Sequence, residues 1–433
     1  MLRIIDLVKI VAKYRLDEYL SKHDRTKFLN VGGNFVRQFL FGKPIEGPLG
    51  YRLRRALEEL GPVFVKFGQI ISTRRDLLPP DIADELVKLR DNVKPFDSDV
   101  AISIVEQELK GKIDDIFIYF SALPVAAASI SQVHLAVLPN GDEVAVKILR
   151  PGIKPIVRID LQLFKNLIST VNLFKSNLKD FNFLGIVEEL EVSIKQELNF
   201  LLEAENAEKF KENLKDYQRV CIPKIYKELS TRNVLVMERM YGTPIDHISE
   251  LTAKGVNLKQ VAKQGIELLL LQVFRDRFFH ADPHPGNVWI MDDGSRVYLD
   301  FGILGIITKE DRATIIKLMV ALSMQDYQQF VKVQIDAGWV PDNVDKNALS
   351  NAFHNLDNLI ASHSKNSVMT ALRRLLNLGE KFGVKTPVQF TLLIKTLIAA
   401  EGIAKTIDPT IDLKEEVKPI MMKNLSKWLS KGT

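Results

Sequence analysis

The sequence predicts an α+β fold with two lobes, and three observations carry that prediction. Short segments rich in β-branched and aromatic residues are concentrated between residues 111 and 240, and helical periodicity dominates before and after them. The turn Pro139-Asn140-Gly141 separates two such segments, and a second strand–turn–strand signal follows at 288–299. With 433 residues the chain is long enough for two or three packed lobes. We therefore expect a small β-rich lobe followed by a helical lobe.

The composition is that of an ordinary globular protein and excludes few function classes. The net charge is +5, from 59 basic and 54 acidic side chains, and no basic tract interleaved with aromatic residues indicates a nucleic-acid partner. The single cysteine, Cys221, cannot form an intrachain disulfide, which favours a reducing compartment. Because Cys221 precedes Ile222 and Pro223, we expect it to be structural and not a nucleophile.

The N-terminal region, residues 1–110, is predicted to be helical. Apolar residues in 1–20 fit one face of an amphipathic helix, with basic residues in the same segment. Such a helix could lie on a membrane surface or pack on its own protein, and both interpretations stay open. A second helix is expected at 53–73, with Gly61 and Pro62 inside it.

No signal peptide and no spanning helix are predicted. Charged side chains interrupt the apolar N-terminal segment, and no stretch reaches about 18 consecutive apolar residues. The nearest to it, 390–404, contains Lys395 and Glu401 and is expected to be a buried helix.

Strands and helices follow in a defined order after residue 111. Strands are predicted at 116–120, 132–138, 143–149 and 234–238. Helices are predicted over 156–210 and over most of the chain beyond 258, apart from the hairpin at 288–299.

Lys147 is a candidate phosphate-binding lysine because it lies within the apolar strand Val144-Ala145-Val146-Lys147-Ile148. Burying an unpaired charge in such a setting is costly, so a partner is expected. Glu203, on a helical pattern downstream, is the candidate partner; the alternative is a solvated glutamate on an acidic helix.

The segment His280-Ala-Asp282-Pro-His-Pro-Gly-Asn287 is the strongest local signal. Asp282 is expected to orient or deprotonate an attacking hydroxyl or water, and Asn287 to offer an amide oxygen to Mg²⁺. Asp300, in Asp300-Phe301-Gly302 behind the second hairpin, is the expected second Mg²⁺ ligand. His280, Asp282 and His284 could instead bind a transition metal, but no third nitrogen or sulfur ligand is near them in sequence.

The order of these motifs is that of a protein kinase, with two departures. Where kinases have a glycine-rich loop, this chain has Ala126-Ala127-Ala128-Ser129-Ile130-Ser131-Gln132, which should be stiffer. After Gly302 there is no Ala-Pro-Glu, so a long peptide-docking segment has no room.

With these residues in place, the chain resembles the bacterial branch of the UbiB family of atypical kinases, over about residues 51–409. The most specific match is Lys66-Phe67-Gly68-Gln69, followed by Ser72-Thr73-Arg74-Arg75-Asp76-Leu77-Leu78-Pro79. In that family the lysine–any–glycine–glutamine signature lies on a helix that folds over the active site and blocks protein substrates. Glu197 matches the first acid of the family's Glu-x-Asp pair, whereas Asn199 stands at the second, so only Glu197 can pair with Lys66 by charge.

The resemblance implies a protein kinase-like two-lobed fold with an N-terminal helical extension and a helical C-terminal region. The expected parts are residues 1–110, a lobe at 111–240 and a lobe at 241–433. The implied cofactors are ATP (or ADP) and Mg²⁺, with Lys66, Gln69 and Glu197 autoinhibitory. The nucleotide-binding set joins the alanine-rich loop to Lys147 and Glu203 and adds these residues: Val133, His134, Glu238 and Met240.

The resemblance also implies a role in ubiquinone biosynthesis, with the biosynthetic proteins and lipid or quinone intermediates as partners. Relatives often end in one or two spanning helices, so this chain is expected either to be truncated or to lie peripherally on the cytoplasmic side of the bacterial inner membrane. Two other functions stay open: a small-molecule kinase of the choline or aminoglycoside type, and a scaffold that binds nucleotide without turnover.

Overall fold

The computed structural model describes residues 2–16, 45–72, 78–89, 94–174, 183–361 and 368–430. They form two compact units, of which the first comprises Met1–Leu201 and Tyr226–Met237 and the second comprises Leu202–Ile225 and Glu238–Thr433. The predicted three-part division of the chain remains a prediction.

The described helices and strands alternate as an α+β fold. The helices are α1 (Leu2–Lys13), α2 (Leu49–Leu60), α3 (Pro62–Ser72), α4 (Pro80–Leu86), α5 (Ser98–Leu109), α6 (Ile113–Ile116), α7 (Ile153–Phe174), α8 (Phe183–Glu197), α9 (Phe200–Asn213), α10 (Ile248–Ala253), α11 (Leu258–Leu270), α12 (Lys309–Ser323), α13 (Tyr327–Asp336), α14 (Lys346–Ala361), α15 (Val368–Lys381), α16 (Val388–Ile407) and α17 (Leu413–Ser430). The strands are β1 (Tyr119–Phe120), β2 (Ala126–Ala127), β3 (Ser131–Val137), β4 (Glu143–Leu149), β5 (Val220–Cys221), β6 (Val234–Glu238), β7 (Thr243–Pro244), β8 (Phe278–His280), β9 (Val288–Ile290), β10 (Arg296–Tyr298) and β11 (Leu304–Ile306).

The predicted single helix at 53–73 is wrong, because the chain forms two helices, α2 and α3. Gly61 separates them with φ of +101°, a backbone conformation that residues with a side chain rarely adopt. Pro62 then begins α3, a position where its missing N–H costs no helical hydrogen bond.

Helix α1 packs on its own protein, through one of its two apolar faces. Ile10 and Tyr14 are buried, whereas Ile4, Ile5 and Val8 are exposed. Residues 17–20 of the predicted amphipathic segment lie outside the described residues. The described part of α1 therefore fits the packed interpretation and leaves an exposed apolar face.

The sheet of the first unit has strand order β1-β3-β4-β6, with β2 also paired to β3. The predicted hairpin at Pro139-Asn140-Gly141 is confirmed: β3 and β4 pair antiparallel, and Leu138 N–H donates to Asp142 O at 2.9 Å. The predicted strand at 116–120 is shorter than expected, because Ile113–Ile116 closes a helical turn.

Strand alternation directs one face of this sheet into a hydrophobic core, and the side chains between the core residues lie on the opposite face. The core face contributes Val144, Val146 and Ile148. All three are fully buried and share a core with residues of helix α5 and with Val234 of the neighbouring strand β6. Lys147 lies between them in sequence and therefore points to the opposite face.

The second unit is built on helices around a buried aliphatic and aromatic core. Its predicted hairpin is confirmed as β9 and β10, which pair antiparallel within a sheet of order β5-β10-β9-β7. Strands β8 and β11 form a separate antiparallel pair that was not predicted. The predicted buried helix at 390–404 is confirmed as α16, which buries Phe390, Leu393 and Ala404.

Across the described ranges, no helix combines the length and apolarity needed to span a membrane.

Candidate functional site

The loop from Asp282 to Asn287 is held by its own hydrogen bonds. Asn287 N–H donates to His284 O at 2.8 Å, and Gly286 N–H donates to His284 Nδ1 at 3.1 Å. The Asn287 side-chain amide donates from Nδ2 to Asp282 O at 3.3 Å. Because the amide nitrogen is used inside the loop, Oδ1 is the atom of Asn287 that suits a cation.

The register of β9 and β10 brings Asn287 and Asp300 to one end of the hairpin. Val288 pairs with Tyr298, and Leu299 N–H donates to Asn287 O at 3.0 Å. Asp300 is the next residue, and its Oδ1 accepts from Gly302 N–H at 2.9 Å. Asn287 and Asp300 are half-buried, so both oxygen-bearing side chains are reachable from solvent.

His280, at the end of β8, lies just before the loop 282–287 and contacts the Asp-Phe-Gly segment. Its ring is buried and burial lowers its pKa, so the imidazole is neutral near pH 7. Nε2 lies 2.6 Å from Asp300 O, and a neutral ring with a proton on Nε2 donates there. Nδ1 is buried and has no hydrogen-bond partner within the described part of the chain.

The Asp-Phe-Gly backbone is also held by helix α9. Phe301 N–H donates to Glu203 Oε1 at 3.5 Å, and Asn206 Nδ2 donates to Phe301 O at 3.0 Å. Glu203 is almost fully buried, and Asn206 lies one helical turn after it on the same face.

A cluster of aromatic rings packs against the Asp-Phe-Gly segment and helix α9. The ring of Phe210, on α9, contacts the rings of His280, Tyr298 and Phe301 at centroid distances of 6.1, 5.2 and 5.6 Å. Edge-on and tilted aromatic contacts of this kind favour a defined packing geometry. The cluster therefore fixes α9, β8 and the Asp-Phe-Gly segment together within the second unit.

The donor set at the end of the hairpin fits Mg²⁺ by its chemistry. Asp300 and Asn287 offer carboxylate and amide oxygens, which this hard cation prefers. The structure gives no support to the transition-metal alternative. Within the residues that the structure covers, no group of three His, Cys, Asp or Glu side chains could hold a metal ion.

Lys147, in the first unit, is half-buried on the face of β4 opposite the core. Its Nζ lies 5.3 Å from the centroid of the Phe200 ring, a cation–π distance. Lys147 and Glu203 belong to different units, and the ion pair predicted between them remains a prediction.

The predicted alanine-rich loop is instead a tight hairpin, because Ala126 and Ala127 form β2 and pair with β3. Ala128 N–H donates to Ser131 O at 2.8 Å and closes the turn. Arg150 reinforces it: its backbone N–H donates to Ile130 O at 2.7 Å and its guanidinium to Ala128 O at 3.2 Å. The turn is therefore tied down at both ends, with Ser129 and Ile130 buried.

Gln132 and His134 point into the core and not to the face of Lys147. Gln132 Oε1 accepts from Phe96 N–H at 2.9 Å, and its Nε2 lies 2.8 Å from His134 Nε2. His134 Nδ1 contacts Ser121 O at 2.8 Å, and the ring stacks on Phe120. Both side chains therefore make their contacts inside the first unit, and the predicted contact of Gln132 and His134 with nucleotide remains a prediction. Val133 pairs with Lys147 across the hairpin and lies on the same face.

Lys66 and Glu197 form the predicted ion pair, in which Nζ lies 2.5 Å from Oε1. The two side chains are only 16 and 19 % exposed. The pair joins α3 to α8 within the first unit, and Ser193 Oγ donates to Glu197 Oε1 at 3.4 Å. The predicted placement of Lys66 over the active site remains a prediction.

The rest of the signature is explained by packing. Gln69 Nε2 donates to Leu89 O at 3.4 Å. A Cβ at Gly68 would overlap the methyl groups of Leu57 and Leu89, so glycine is what allows α3 to approach its neighbours closely. Asn199, at the second acidic position, has a buried Oδ1 with no hydrogen-bond partner among the described residues. Residues 73–77 of the signature lie outside the described residues.

The remaining predicted positions have modest contacts. Glu238 has an exposed side chain whose Oε2 accepts from Lys224 N–H at 2.9 Å, and Met240 is half-buried. Cys221 is half-buried with a pKa raised by burial, which fits a structural thiol.

Sequence reasoning missed Arg150 and Asn206. Asn206 lies three residues after Glu203, a spacing that places two side chains on one helical face, so that signal was present. For Arg150 the signal was weaker, because a single arginine at the end of a strand carries no pattern.

Comparisons with known proteins match nearly the whole chain. Residues 88–334 match the ABC1 atypical kinase-like domain, and residues 361–412 match the UbiB helical domain. Two curated relatives, both named probable protein kinase UbiB, are similar over 99 % of this chain and 80 % of their own length. The relative from Pseudomonas putida strain F1 is 36 % identical, and the relative from Pseudomonas entomophila strain L48 is 35 % identical.

A solved structure, the complex of Rv3197 with erythromycin from Mycobacterium tuberculosis, shares the fold with a TM-score of 0.52. It is 22 % identical and covers 81 % of this chain and 90 % of its own. The predicted kinase-like α+β fold is thereby confirmed.

Proposed function

Because this chain belongs to the family of UbiB atypical kinase-like proteins, we propose that it binds ATP with Mg²⁺ through Lys147 in its first unit and Asp282, Asn287 and Asp300 in its second. The observation that carries this proposal is the arrangement of Asn287 and Asp300 at one end of the β9–β10 hairpin. Two oxygen donors in that position, next to a carboxylate in a rigid loop, suit a metal-bound polyphosphate.

Each residue has a defined task in this proposal. Lys147 neutralises phosphate charge, and Asp282 orients or deprotonates the attacking hydroxyl or water. When bound, Mg²⁺ neutralises charge on the phosphates of the nucleotide. Asn287 and Asp300 hold that ion through Oδ1 of the amide and through the carboxylate.

The surrounding contacts pre-organise these groups before nucleotide arrives. The internal hydrogen bonds of the loop fix Asp282 and Asn287 relative to each other. His280 donates to Asp300 O from the buried side of β8. Charged groups that need no reorganisation during reaction are the main source of catalysis in such sites.

We propose further that helix α3 restricts the reaction. The ion pair between Lys66 and Glu197 ties α3 to α8, and the close approach at Gly68 reinforces that packing. A helix held in this way would block peptide substrates, so ordinary phosphorylation of other proteins is not expected. ATP hydrolysis, or transfer to a small acceptor, is the expected chemistry.

The biological role that we propose is support of ubiquinone biosynthesis, which rests on the names of the curated relatives. The expected partners are proteins of that pathway and lipid or quinone intermediates at a membrane surface. The exposed residues Ile4, Ile5 and Val8 form an apolar face of the amphipathic helix α1 that suits contact with lipid.

Phosphate release by the purified chain tests the proposal. We expect Mg²⁺-dependent release from ATP that rises with lipid vesicles or phenolic quinone precursors, and loss of release in Asp282→Asn. Phosphorylation of choline or an aminoglycoside would favour a small-molecule kinase instead. Tight nucleotide binding without any release, with or without lipid, would favour a scaffold.

A further inference from the structure

Two consecutive peptide groups of the Asp-Phe-Gly segment are held on both sides. In the peptide between Asp300 and Phe301, the carbonyl contacts His280 Nε2 at 2.6 Å and the N–H donates to Glu203 at 3.5 Å. In the peptide between Phe301 and Gly302, the carbonyl accepts from Asn206 Nδ2 at 3.0 Å. The N–H of that second peptide donates to Asp300 Oδ1 at 2.9 Å.

The second peptide connects Asn206 to the Asp300 carboxylate through one rigid plane. A peptide group is planar, so its C=O and its N–H turn together. If the Phe301 carbonyl rotates away from Asn206, the Gly302 N–H rotates away from Asp300 Oδ1 as well. Glycine at position 302 makes that rotation accessible, because glycine adopts positive φ as readily as negative φ.

We propose that Asn206 is a positioning residue for metal binding, a role that rests on the proposed function. Its amide selects the peptide orientation in which Gly302 N–H holds the Asp300 carboxylate. Asn206 itself contacts neither nucleotide nor metal in this account. Its donor group matters more than its size, because a carbonyl oxygen is the atom that it contacts.

The test compares two substitutions at position 206 with a matched control. Asn206→Asp keeps the shape but replaces the donor with an oxygen that repels the Phe301 carbonyl, and Asn206→Ala removes the contact without repulsion. Asn213→Asp is the control, because it makes the same change two turns later on α9. Mg²⁺ is titrated against full-length protein with a fluorescent ADP analogue, and analogue affinity is also measured in EDTA.

We expect both Asn206 variants to need about tenfold more Mg²⁺ for half-maximal binding, the equivalent of one hydrogen bond. Affinity in EDTA should stay at the wild-type value, which separates loss of metal positioning from loss of the fold. Asn213→Asp should titrate like wild type. If Asn206→Asp does not fold, Asn206→Ala alone decides the outcome.

Two results would overturn the inference. One is a wild-type Mg²⁺ requirement in the folded Asn206 variants. The other is an equal loss of affinity with and without metal. Asp300→Asn distinguishes failure of this inference from failure of the proposed function. If Asp300→Asn abolishes the dependence of analogue binding on Mg²⁺ while the Asn206 variants retain it, only the role of Asn206 is wrong.

Discussion

Lys66 Nζ lies 2.5 Å from Glu197 Oε1, and this contact joins the signature helix α3 to α8. Both side chains are mostly buried, so each charge compensates the other where water is largely excluded. The second acid expected from the family pattern is replaced by Asn199, which carries no charge. Lys66 therefore depends on Glu197 for charge pairing at these two positions, which makes the pair testable by single substitutions.

Lys66→Ala should destabilise the protein by about 3 kcal/mol, because it removes the cation that pairs with the mostly buried Glu197 carboxylate. It should also raise autophosphorylation in cis, which we expect to be weak in the wild type. Denaturant unfolding and incorporation of labelled phosphate measure the two effects. Lys165→Ala is the control, since it removes a more exposed pair, between Lys165 of α7 and Glu191 of α8. Unchanged autophosphorylation in Lys66→Ala would contradict the inhibitory role of α3.

Gly68→Ala and Gly402→Ala should change stability in opposite directions. Both glycines lie inside helices, where alanine is favoured by about 1 kcal/mol. At Gly68 a Cβ would lie 2.7 Å from Leu57 Cδ1 and would also overlap Leu89, so overpacking should outweigh that gain by about 1 kcal/mol. At Gly402 nothing lies within 4 Å, and the melting temperature should rise. A higher melting temperature for both variants would show that α3 can move away without cost.

The pair between Arg3 and Asp160 should stabilise the docking of α1 far more than the pair between Lys13 and Glu59. Arg3 donates to both carboxylate oxygens of Asp160 at 2.7 Å, and Asp160 is fully buried. Arg3→Ala should therefore cost about 3 to 5 kcal/mol. Lys13→Ala removes an exposed pair on the same helix and should cost less than about 1 kcal/mol. Equal unfolding midpoints for the two variants would contradict this assignment.

The exposed face of α1 should bind anionic membranes. Replacing Ile4, Ile5 and Val8 with serine removes apolar surface without touching the packed face, so sedimentation with phosphatidylglycerol vesicles should fall several-fold. The control replaces Ile118, Leu123 and Val125 with serine, because these side chains are also apolar and exposed but lie near the sheet. An equal loss of binding in both triple variants would indicate general apolar adhesion and not anchoring by α1.

Much of the fold could be predicted because it follows local patterns. The hairpins β3–β4 and β9–β10 have alternating apolar residues and turn sequences that carry their own signal. The pairs of β8 with β11 and of β5 with β10 could not be predicted, because strands of two or three residues acquire their pairing from distant segments. The break at Gly61 was visible only as a glycine and a proline inside a helical pattern.

In the candidate site too, the types of residue could be predicted from the sequence, whereas their contacts could not. Asp282, Asn287 and Asp300 could be proposed from their spacing, because it is the spacing of side chains that serve metal and phosphate chemistry in kinases. The inward direction of Gln132 and His134 depends on the register of β3 against β4, which places them opposite buried Ile148 and Val146 and which spacing does not reveal. The contact of Asn206 with Phe301 O joins residues 95 positions apart, and only the folded chain shows it.

The central claim, that Asp300 is a ligand of nucleotide-bound Mg²⁺, is tested most directly by thermal unfolding of Asp300→Asn in ADP with Mg²⁺ or with EDTA. In the wild type, the melting temperature with ADP and Mg²⁺ should be higher than the melting temperature with ADP and EDTA, because a ligand that binds the folded state stabilises it. Asp300→Asn should lose this increment, with affinity for Mg²⁺-nucleotide reduced by about tenfold or more. Asp292→Asn, at a side chain 77 % exposed in the same hairpin, should keep it. An unchanged Mg²⁺-dependent increment in Asp300→Asn would contradict the account.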